Sequence, residues 1–305
     1  MTTTILTNGR VTWTNITQAN QTDLDELHAK YPQFHALHLH DCVTDLEFPK
    51  IDDEDSYLFI VIHIPWLDTT EHLYHAAEVD IFVASGTLVT SHADFLDPLN
   101  EMFVQAQVDI TVREQLMGGG ASPLLYELLK RLISSCYPSL HEVNHKIHHI
   151  EDNLFNNDTP HILREIAEVR RDVIALRHIL RPQLEIMRHL EKGNWPFIQG
   201  KLDPYWGDIG DQVAQLQARL EEHNEVLSSL SDTIDTLASH RIDEVVRLLT
   251  VVTLLTVPLT VLSTIFGMNV QLPYGGHPLP FYLINVIGVV TTALVIWYLR
   301  YRRWL

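Results

Sequence analysis

The chain has 305 residues, of which 39 are acidic and 21 basic, so its formal net charge at pH 7 is −18. An acidic surface repels nucleic acid and attracts cations, which argues against a nucleic-acid partner. The two cysteines, Cys42 and Cys136, lack CxxC spacing, which argues against a disulfide framework or a zinc–thiolate cage.

The N-terminal part is rich in short β-type runs such as "YLFIVIHIPWL" and "EVDIFVAS", with helical patterns at residues 21–30 and 98–108. The alternating stretch "HALHLHD", residues 35–41, predicts a surface strand in preference to a metal site. Three consecutive glycines, Gly118 to Gly120, end this composition. We therefore predict a cytosolic α/β domain over residues 1–118.

A helical region follows, over residues 119–247. Amphipathic patterns predict helices at residues 122–156 and 160–190, and a third helix begins near Pro204. This third helix carries an apolar seam with steps of three and four, in which His223 fills one slot: Val213, Leu216, Leu220, Leu227, Leu230, Ile234 and Leu237. No proline or glycine lies between Asp211 and Val257, which predicts one continuous stalk helix that runs into the membrane.

The membrane region is predicted over residues 248–305. Residues 248–299 contain no Asp, Glu, Lys or Arg. They divide into spans at about 248–266 and 280–299, each long enough as a helix to cross a hydrocarbon core of roughly 30 Å. The alternative is a buried hairpin in a soluble protein. The predicted fold class is thus an α+β membrane protein with a cytosolic α/β domain, a stalk helix and two C-terminal transmembrane helices.

Flanking charges predict the orientation of the spans. Arg241 and Arg247 precede the first span, and three arginines follow the second, whereas the loop at residues 267–279 has no Lys or Arg. Both termini are therefore expected in the cytoplasm and the loop outside the cell. The N-terminus shows no signal-peptide pattern, which fits a cytosolic N-terminus. The expected location is the inner (plasma) membrane, as a multi-pass protein.

The first span also carries a regular polar pattern. Its five threonines fall within an arc of about 120° on one helix face, with Asp243 at the edge of that arc: Thr250, Thr253, Thr256, Thr260 and Thr264. A hydroxyl stripe with a carboxylate at its cytosolic end suits a pore lining. Alternatively, the threonines bond to their own backbone or hold helices together.

The stretch "HEVNH" fits the H-E-x-x-H pattern of zinc peptidases, with His141 and His145 as ligands and Glu142 as base. No downstream third ligand is evident, and histidine is abundant, with 18 residues. A regulatory metal site and a solvated helix face both remain open interpretations. We expect that the protein is not an enzyme.

The stretch "DEVVRLLTVVTLLTVPLTVLSTIFGMNV", residues 243–270, places Gly-Met-Asn at the outer end of the first of two terminal spans. With the acidic cytosolic domain and the long stalk, it resembles the CorA family of divalent-cation channels, a superfamily that includes ZntB-type zinc transporters. The resemblance implies a homopentamer whose first spans line the pore. It also implies an outer mouth at Gly267, Met268 and Asn269, where amide oxygens meet a hydrated ion; Met268 is assigned no ion contact.

The resemblance implies further site residues. The pore-lining set is Asp243, Leu249, Thr253, Val257, Thr260 and Thr264, among which Leu249 and Val257 match hydrophobic rings that gate by dewetting. In "DPYWGDIGDQ", Asp208 matches a carboxylate through which cytosolic Mg²⁺ closes the pore, and Asp211 lies three residues on. A solvated helix start is the alternative interpretation of these two aspartates.

The expected cargo is Mg²⁺, both transported and regulatory, with Co²⁺ and Ni²⁺ also carried by passive influx. Two departures bear on this expectation: Asp243 stands where the family commonly has Asn, and the outer loop lacks the Met-Pro-Glu segment of magnesium-type members. A ZntB-like Zn²⁺ transporter, with or without proton coupling, is the alternative. Others are a membrane-anchored zinc peptidase and a non-conducting metal sensor. The expected partners are the chain itself, the lipid bilayer and metal ions.

Overall fold

The computed structural model describes residues 3–44, 47–155, 159–193, 195, 197, 203–267 and 278–301. The chain divides into two compact units, Met1–Leu230 and Ser231–Leu305. The predicted division at residues 118 and 247 remains a prediction. Each unit is described in turn.

The first unit contains a six-stranded sheet in the order β1-β2-β6-β5-β4-β3. Neighbouring strands are antiparallel except for β2 and β6, which are parallel. The strands are β1 Thr3–Asn8, β2 Val11–Thr17, β3 Lys50–Asp53, β4 Tyr57–Asp68, β5 Leu73–Ala84 and β6 Thr87–His92. The inner strands β4 and β5 are apolar along most of their length because both faces of the sheet are covered.

Nine helices are described in the two units. They are α1 Gln21–Lys30, α2 Ala36–Asp41, α3 Asp97–Val108, α4 Ile110–Met117, α5 Ala121–Ser134, α6 Tyr137–Asn153, α7 Thr159–Lys192, α8 Asp203–Phe266 and α9 Leu279–Tyr301. One sheet face packs with the α1–α2 region in a cluster that includes Phe34, Tyr57 and Phe82. On the other face, Trp13 of β2 meets Phe103 of α3 edge-on, with 4.8 Å between the ring centroids.

Helix α1 confirms the predicted boundaries, residues 21–30, because a capping box defines its start. The Asn20 side chain accepts from the backbone N–H groups of Thr22 and Asp23, and Asp23 accepts in return from the Asn20 N–H. The prediction of a strand at residues 35–41 is wrong, since this stretch forms α2. The His35 ring accepts from the Leu37 N–H at 3.2 Å and caps that helix. The alternating pattern of the stretch gave no indication of this cap.

The single helix predicted over residues 122–156 is two helices. Helix α5 ends at Ser134, and α6 begins at Tyr137 with Pro138 in its first turn. Proline lacks the N–H that would continue α5, and its ring suits only the first turn of the next helix. Helix α7, Thr159–Lys192, agrees with the predicted helix at 160–190, and α8 starts at Asp203, beside the predicted Pro204.

In the first unit, the apolar seam of α8 packs against α7 of the same chain. Gln217 donates to the Leu180 carbonyl at 3.1 Å, Arg177 pairs with Glu221 at 2.6 Å, and Arg170 donates to the Leu227 carbonyl at 3.3 Å. As the residue number increases along α8, the number of its partner on α7 decreases, so the two helices are antiparallel. Val213, Leu216, Leu220, Leu227 and Leu230 are buried.

In the second unit, α8 and α9 each contain a window long and apolar enough to cross a membrane. Few residues of either window are buried, so these helices are not the core of a soluble domain. Helix α8 ends at Phe266, as the predicted first span does, and α9 covers the predicted second span. The fold class is therefore that of a membrane protein with an α/β part, a long helix and two C-terminal spans.

Candidate ion-conduction site

The five threonines of the first span bond to their own helix. Each hydroxyl donates to the carbonyl four residues earlier, at 2.7 to 2.9 Å: Thr250 to Val246, Thr253 to Leu249, Thr256 to Val252, Thr260 to Thr256 and Thr264 to Thr260. The hydroxyl proton is used within the helix, and the oxygen lone pairs remain available as acceptors. One of the two interpretations of the stripe, backbone bonding, is thus realised, and it leaves an acceptor surface on the helix.

This acceptor surface lies on the side of α8 away from α9. A Cβ placed on Gly288 of α9 would meet Leu259 and Leu262 of α8 at 3.7 and 3.8 Å. At about 100° per residue, these leucines lie about 150° from the centre of the threonine arc. Val251, on the same side as the leucines, is buried, whereas Thr253, Thr256 and Thr260 are exposed. Among the described residues of the chain, α9 therefore lies on the side of α8 away from the stripe.

The remaining predicted pore residues share the threonine face. Leu249 and Val257 lie within the arc by helical position, and Asp243 lies at its edge. All three side chains are exposed. Two apolar positions and one carboxylate thus alternate with hydroxyls along one exposed face of α8.

Gly267, the first residue of the predicted outer mouth, directly follows the end of α8. Gly267 forms a turn, and its N–H donates to the Ser263 carbonyl at 2.9 Å. A Cβ at Gly267 would meet that same carbonyl oxygen at 3.2 Å, so a larger residue would be tight at this position. Met268 and Asn269 lie outside the described residues.

The predicted regulatory carboxylates, Asp208 and Asp211, lie on the first turns of α8, where both are exposed. Asp208 accepts a hydrogen bond from the Gln212 side chain at 3.0 Å. Trp206 and Ile209 on the same turns are buried and fix this part of the helix. The two carboxylates are therefore accessible to solvent and to a neighbouring molecule.

The HEVNH motif lies on α6 without a catalytic setting. His141, Glu142 and His145 lie on the helix surface, and Glu142 lies 4.0 Å from Lys146. Across the described ranges, one group of three potential metal ligands has its atoms within 4.8 Å of one another, Asp68, Glu71 and His75, and it excludes the motif. In that group Asp68 already accepts from the Thr70 and Glu71 N–H groups, as expected of a β4–β5 turn cap.

Sequence reasoning missed two features. The packing of α9 on α8 through Gly288 was not predicted, although a glycine within an apolar span is a recognisable signal for close helix contact. The pairing of the α8 seam with α7 was also missed, because a heptad pattern predicts an apolar seam but does not indicate which helix packs against it.

Comparison with known proteins places these features in a family. A model of the CorA-like Mg²⁺ transporter protein family matches residues 8–303. The chain belongs to this family. It is accordingly a CorA-like divalent-cation transporter of the membrane and not an enzyme. The resemblance to the CorA family inferred from residues 243–270 is confirmed.

The names of relatives of this CorA-like chain refer to different metal ions. The cobalt/magnesium transport protein CorA of Thermotoga maritima is 24% identical over 302 residues, which cover 96% of this chain and 83% of the relative. The zinc transport protein ZntB of Pectobacterium atrosepticum is 26% identical over 180 residues, 59% of this chain and 54% of the relative.

A solved structure has the same fold. The CorA magnesium transporter from Methanocaldococcus jannaschii superposes with a TM-score of 0.81 at 20% identity, over 98% of this chain and 93% of that one. This likeness confirms the predicted fold class.

Proposed function

We propose that this chain forms a homopentameric channel of the inner membrane, with both termini in the cytoplasm, that conducts divalent cations inward. Five copies of the first span would encircle the pore, and the α9 helices would form the outer ring. The membrane potential supplies about 4.6 kcal/mol per 100 mV for a divalent ion, twice the value for one charge, so passive influx needs no ATP.

One observation carries this proposal: the threonine stripe lies opposite the face that contacts α9. If the second span lies outside the first, as two-span packing around an axis requires, the stripe faces the axis. In the proposed pore, Thr253, Thr260 and Thr264 accept hydrogen bonds from the water shell of the ion. Leu249 and Val257 form narrow rings that close by dewetting, and Asp243 attracts cations at the cytosolic end.

The proposed outer mouth consists of Gly267, Met268 and Asn269. Mg²⁺ gives up its water reluctantly, so a ring of Asn269 amide oxygens would bind the hydrated ion through its water shell. For gating, we propose that cytosolic Mg²⁺ binds Asp208 and Asp211 and favours the closed state. The position of both carboxylates on the surface of α8 supports their access to ions.

We propose Mg²⁺ as the principal ion, with Co²⁺ and Ni²⁺ as further cargo, because the similarity to the T. maritima cobalt/magnesium transport protein spans nearly the whole chain. A ZntB-like Zn²⁺ transporter, with or without proton coupling, is the second candidate. It is supported by the ZntB similarity and by an outer loop without glutamate.

The test is flux into liposomes that contain the purified protein, with Mg²⁺, Co²⁺ and Zn²⁺ offered separately, with and without a pH gradient. Asn269→Ala should abolish flux, while Asn285→Ala, on α9, should leave it unchanged. Zn²⁺ flux that requires the pH gradient would favour the second candidate. Absence of flux for every ion in the intact protein would leave only a sensor role.

The pore face is tested by cysteine access in a variant that lacks Cys42 and Cys136. Charged thiol reagents should block flux through Thr260→Cys and should not block Leu259→Cys, its neighbour on the α9 side. Block at Leu259→Cys alone would overturn the assignment of the pore face. Mass measurement of the protein in detergent tests the count of five.

A further inference from the structure

A cavity of about 380 Å³ opens at one end of the α1–α2 side of the sheet, in the first unit. Its lining includes Cys42, Glu78, Asp80, Ser91 and His92. No step of the proposed transport uses these residues. The cavity thus has two carboxylates and a thiol among polar and apolar lining residues, and none of its lining residues is a predicted pore residue.

Strand register explains why these side chains meet. Glu78 and Asp80 are two residues apart on β5, so they point to the same sheet face. His63 of β4 is the direct partner of Glu78, and its Nε2 lies 3.7 Å from a Glu78 carboxylate oxygen. Cys42 follows α2, and its thiol donates to the His38 carbonyl at 3.4 Å. The fold therefore brings a thiol, an imidazole and two carboxylates together.

Two of these groups have buried atoms that lack a hydrogen-bond partner. Asp80 is only 3% exposed, and its Oδ1 has none; His63 is 7% exposed, and its Nε2 has none. A buried polar atom without a partner costs free energy, so each such atom in a folded protein needs an explanation. Both belong to residue types that bind metal ions.

We propose that Cys42, His63, Glu78 and Asp80 bind a thiophilic divalent cation of the Zn²⁺ or Co²⁺ class. Thiolate and imidazole ligands favour such ions over Mg²⁺, which prefers oxygen ligands and its own water. One divalent ion would satisfy both unpartnered atoms and neutralise the acidic groups around it. The site is independent of which ion crosses the membrane.

A proton is the competing occupant. Burial, and after it the neighbouring Glu78 carboxylate, raises the pKa of Asp80 well above its ordinary value, and burial likewise raises the pKa of the Cys42 thiol. Protons could therefore keep these groups neutral without metal. A bound metal ion would displace those protons, so binding should strengthen as pH rises.

The ligand atoms do not form a group of three within 4.8 Å of one another in the described chain. Binding therefore requires small side-chain rotations that bring the ligand atoms closer together. Cys42, Glu78 and Asp80 line the cavity, where space for rotation exists.

The test is a Co²⁺ titration of the full-length protein in detergent, followed by the near-ultraviolet charge-transfer band of a Co²⁺–thiolate bond. The wild type and Cys136→Ser should show the band, and Cys42→Ser should lose it. Cys136 is a matched control because it is the second cysteine and its thiol contacts the Leu132 carbonyl away from the cavity. Asp80→Asn, nearly isosteric, should weaken Co²⁺ binding at least about 10-fold.

Circular dichroism of each variant establishes that it is folded. Retention of the band in folded Cys42→Ser would overturn the proposal, as would its absence from the wild type at pH 8. Displacement of Co²⁺ by an equal concentration of Mg²⁺ would also overturn it, because an oxygen-only site would then be indicated. Band loss confined to Cys42→Ser with unchanged affinity in Asp80→Asn would exclude Asp80 as a ligand and refute the four-residue site.

Discussion

The ion pair between Lys146 of α6 and Asp172 of α7 allows a sharp test of how the first unit is held together. The Lys146 Nζ lies 2.9 Å from Asp172 Oδ2, and the Asp172 side chain is only 4% exposed. Its Oδ1 has no hydrogen-bond partner. Lys146→Met removes the cation while preserving the apolar stem, so a carboxylate remains buried and unpaired. The expected loss in unfolding free energy is about 3 kcal/mol, at the lower end of the range for broken buried pairs, because Lys146 itself is 37% exposed.

The assay is thermal denaturation in detergent, followed by circular dichroism, with a shift of about 2 to 4 °C per kcal/mol for a unit of this size. Arg131→Met is the matched control: Arg131 is also 37% exposed and lies 3.2 Å from Glu101, but Glu101 is 63% exposed. That variant should lose less than about 1 kcal/mol. Adding Asp172→Asn to Lys146→Met should restore part of the loss. Equal losses for Lys146→Met and Arg131→Met would refute the reasoning that burial of the partner sets the cost.

Three further outcomes are expected. Leu220→Ala, at a fully buried position of the α8 seam, should cost about 2–5 kcal/mol in denaturation experiments, and a loss below about 1 kcal/mol would contradict the seam packing. Burial lowers the pKa of His92, so the stability it contributes is present above the ordinary pKa of about 6.5 and is lost as pH falls below it. The stability difference between wild type and His92→Gln should therefore shrink between pH 7 and 5, and a constant difference would exclude this titration. Glu142→Gln should leave liposome flux unchanged, whereas a loss of flux would revive a role for the HEVNH motif.

The sequence predicts the elements whose signals are local. Helix α1 is located because its capping residue Asn20 and its apolar positions agree. The spans are located because residues 248–299 contain no Asp, Glu, Lys or Arg, and charged side chains are costly inside the lipid bilayer. At residues 35–41 the alternation of histidine with apolar residues predicts a strand, but the His35 cap and burial of His38 favour a helix. Local periodicity over so short a stretch does not separate the two.

Of the candidate site, the sequence predicts only which residues share one face of a single helix. Helical spacing by itself places Leu249, Thr253, Val257 and Thr260 on one face of α8. Spacing does not say which face meets the second span, because that depends on the contact of Gly288 with two leucines, Leu259 and Leu262, of the preceding span. The cavity beside Asp80 likewise could not be predicted from the sequence, since the proposed ligands come from separate strands and from the end of α2. Long-range register, not residue type, brings them together.

The hydrogen bonding of the threonines bears on the sign of the ion that the proposed pore would pass. Each hydroxyl on the stripe has its proton engaged with a carbonyl, so toward the exposed side it offers lone pairs. Water bound to a cation points its hydrogens outward, and such lone pairs are suitable acceptors for them. An anion's shell would need donors, which these hydroxyls have already committed. Asp243, at the edge of the same face, adds a negative charge of the sign that attracts cations and repels anions. Selection for cations would therefore begin in the first span itself, whereas selection among divalent cations would depend on the Gly267–Asn269 mouth.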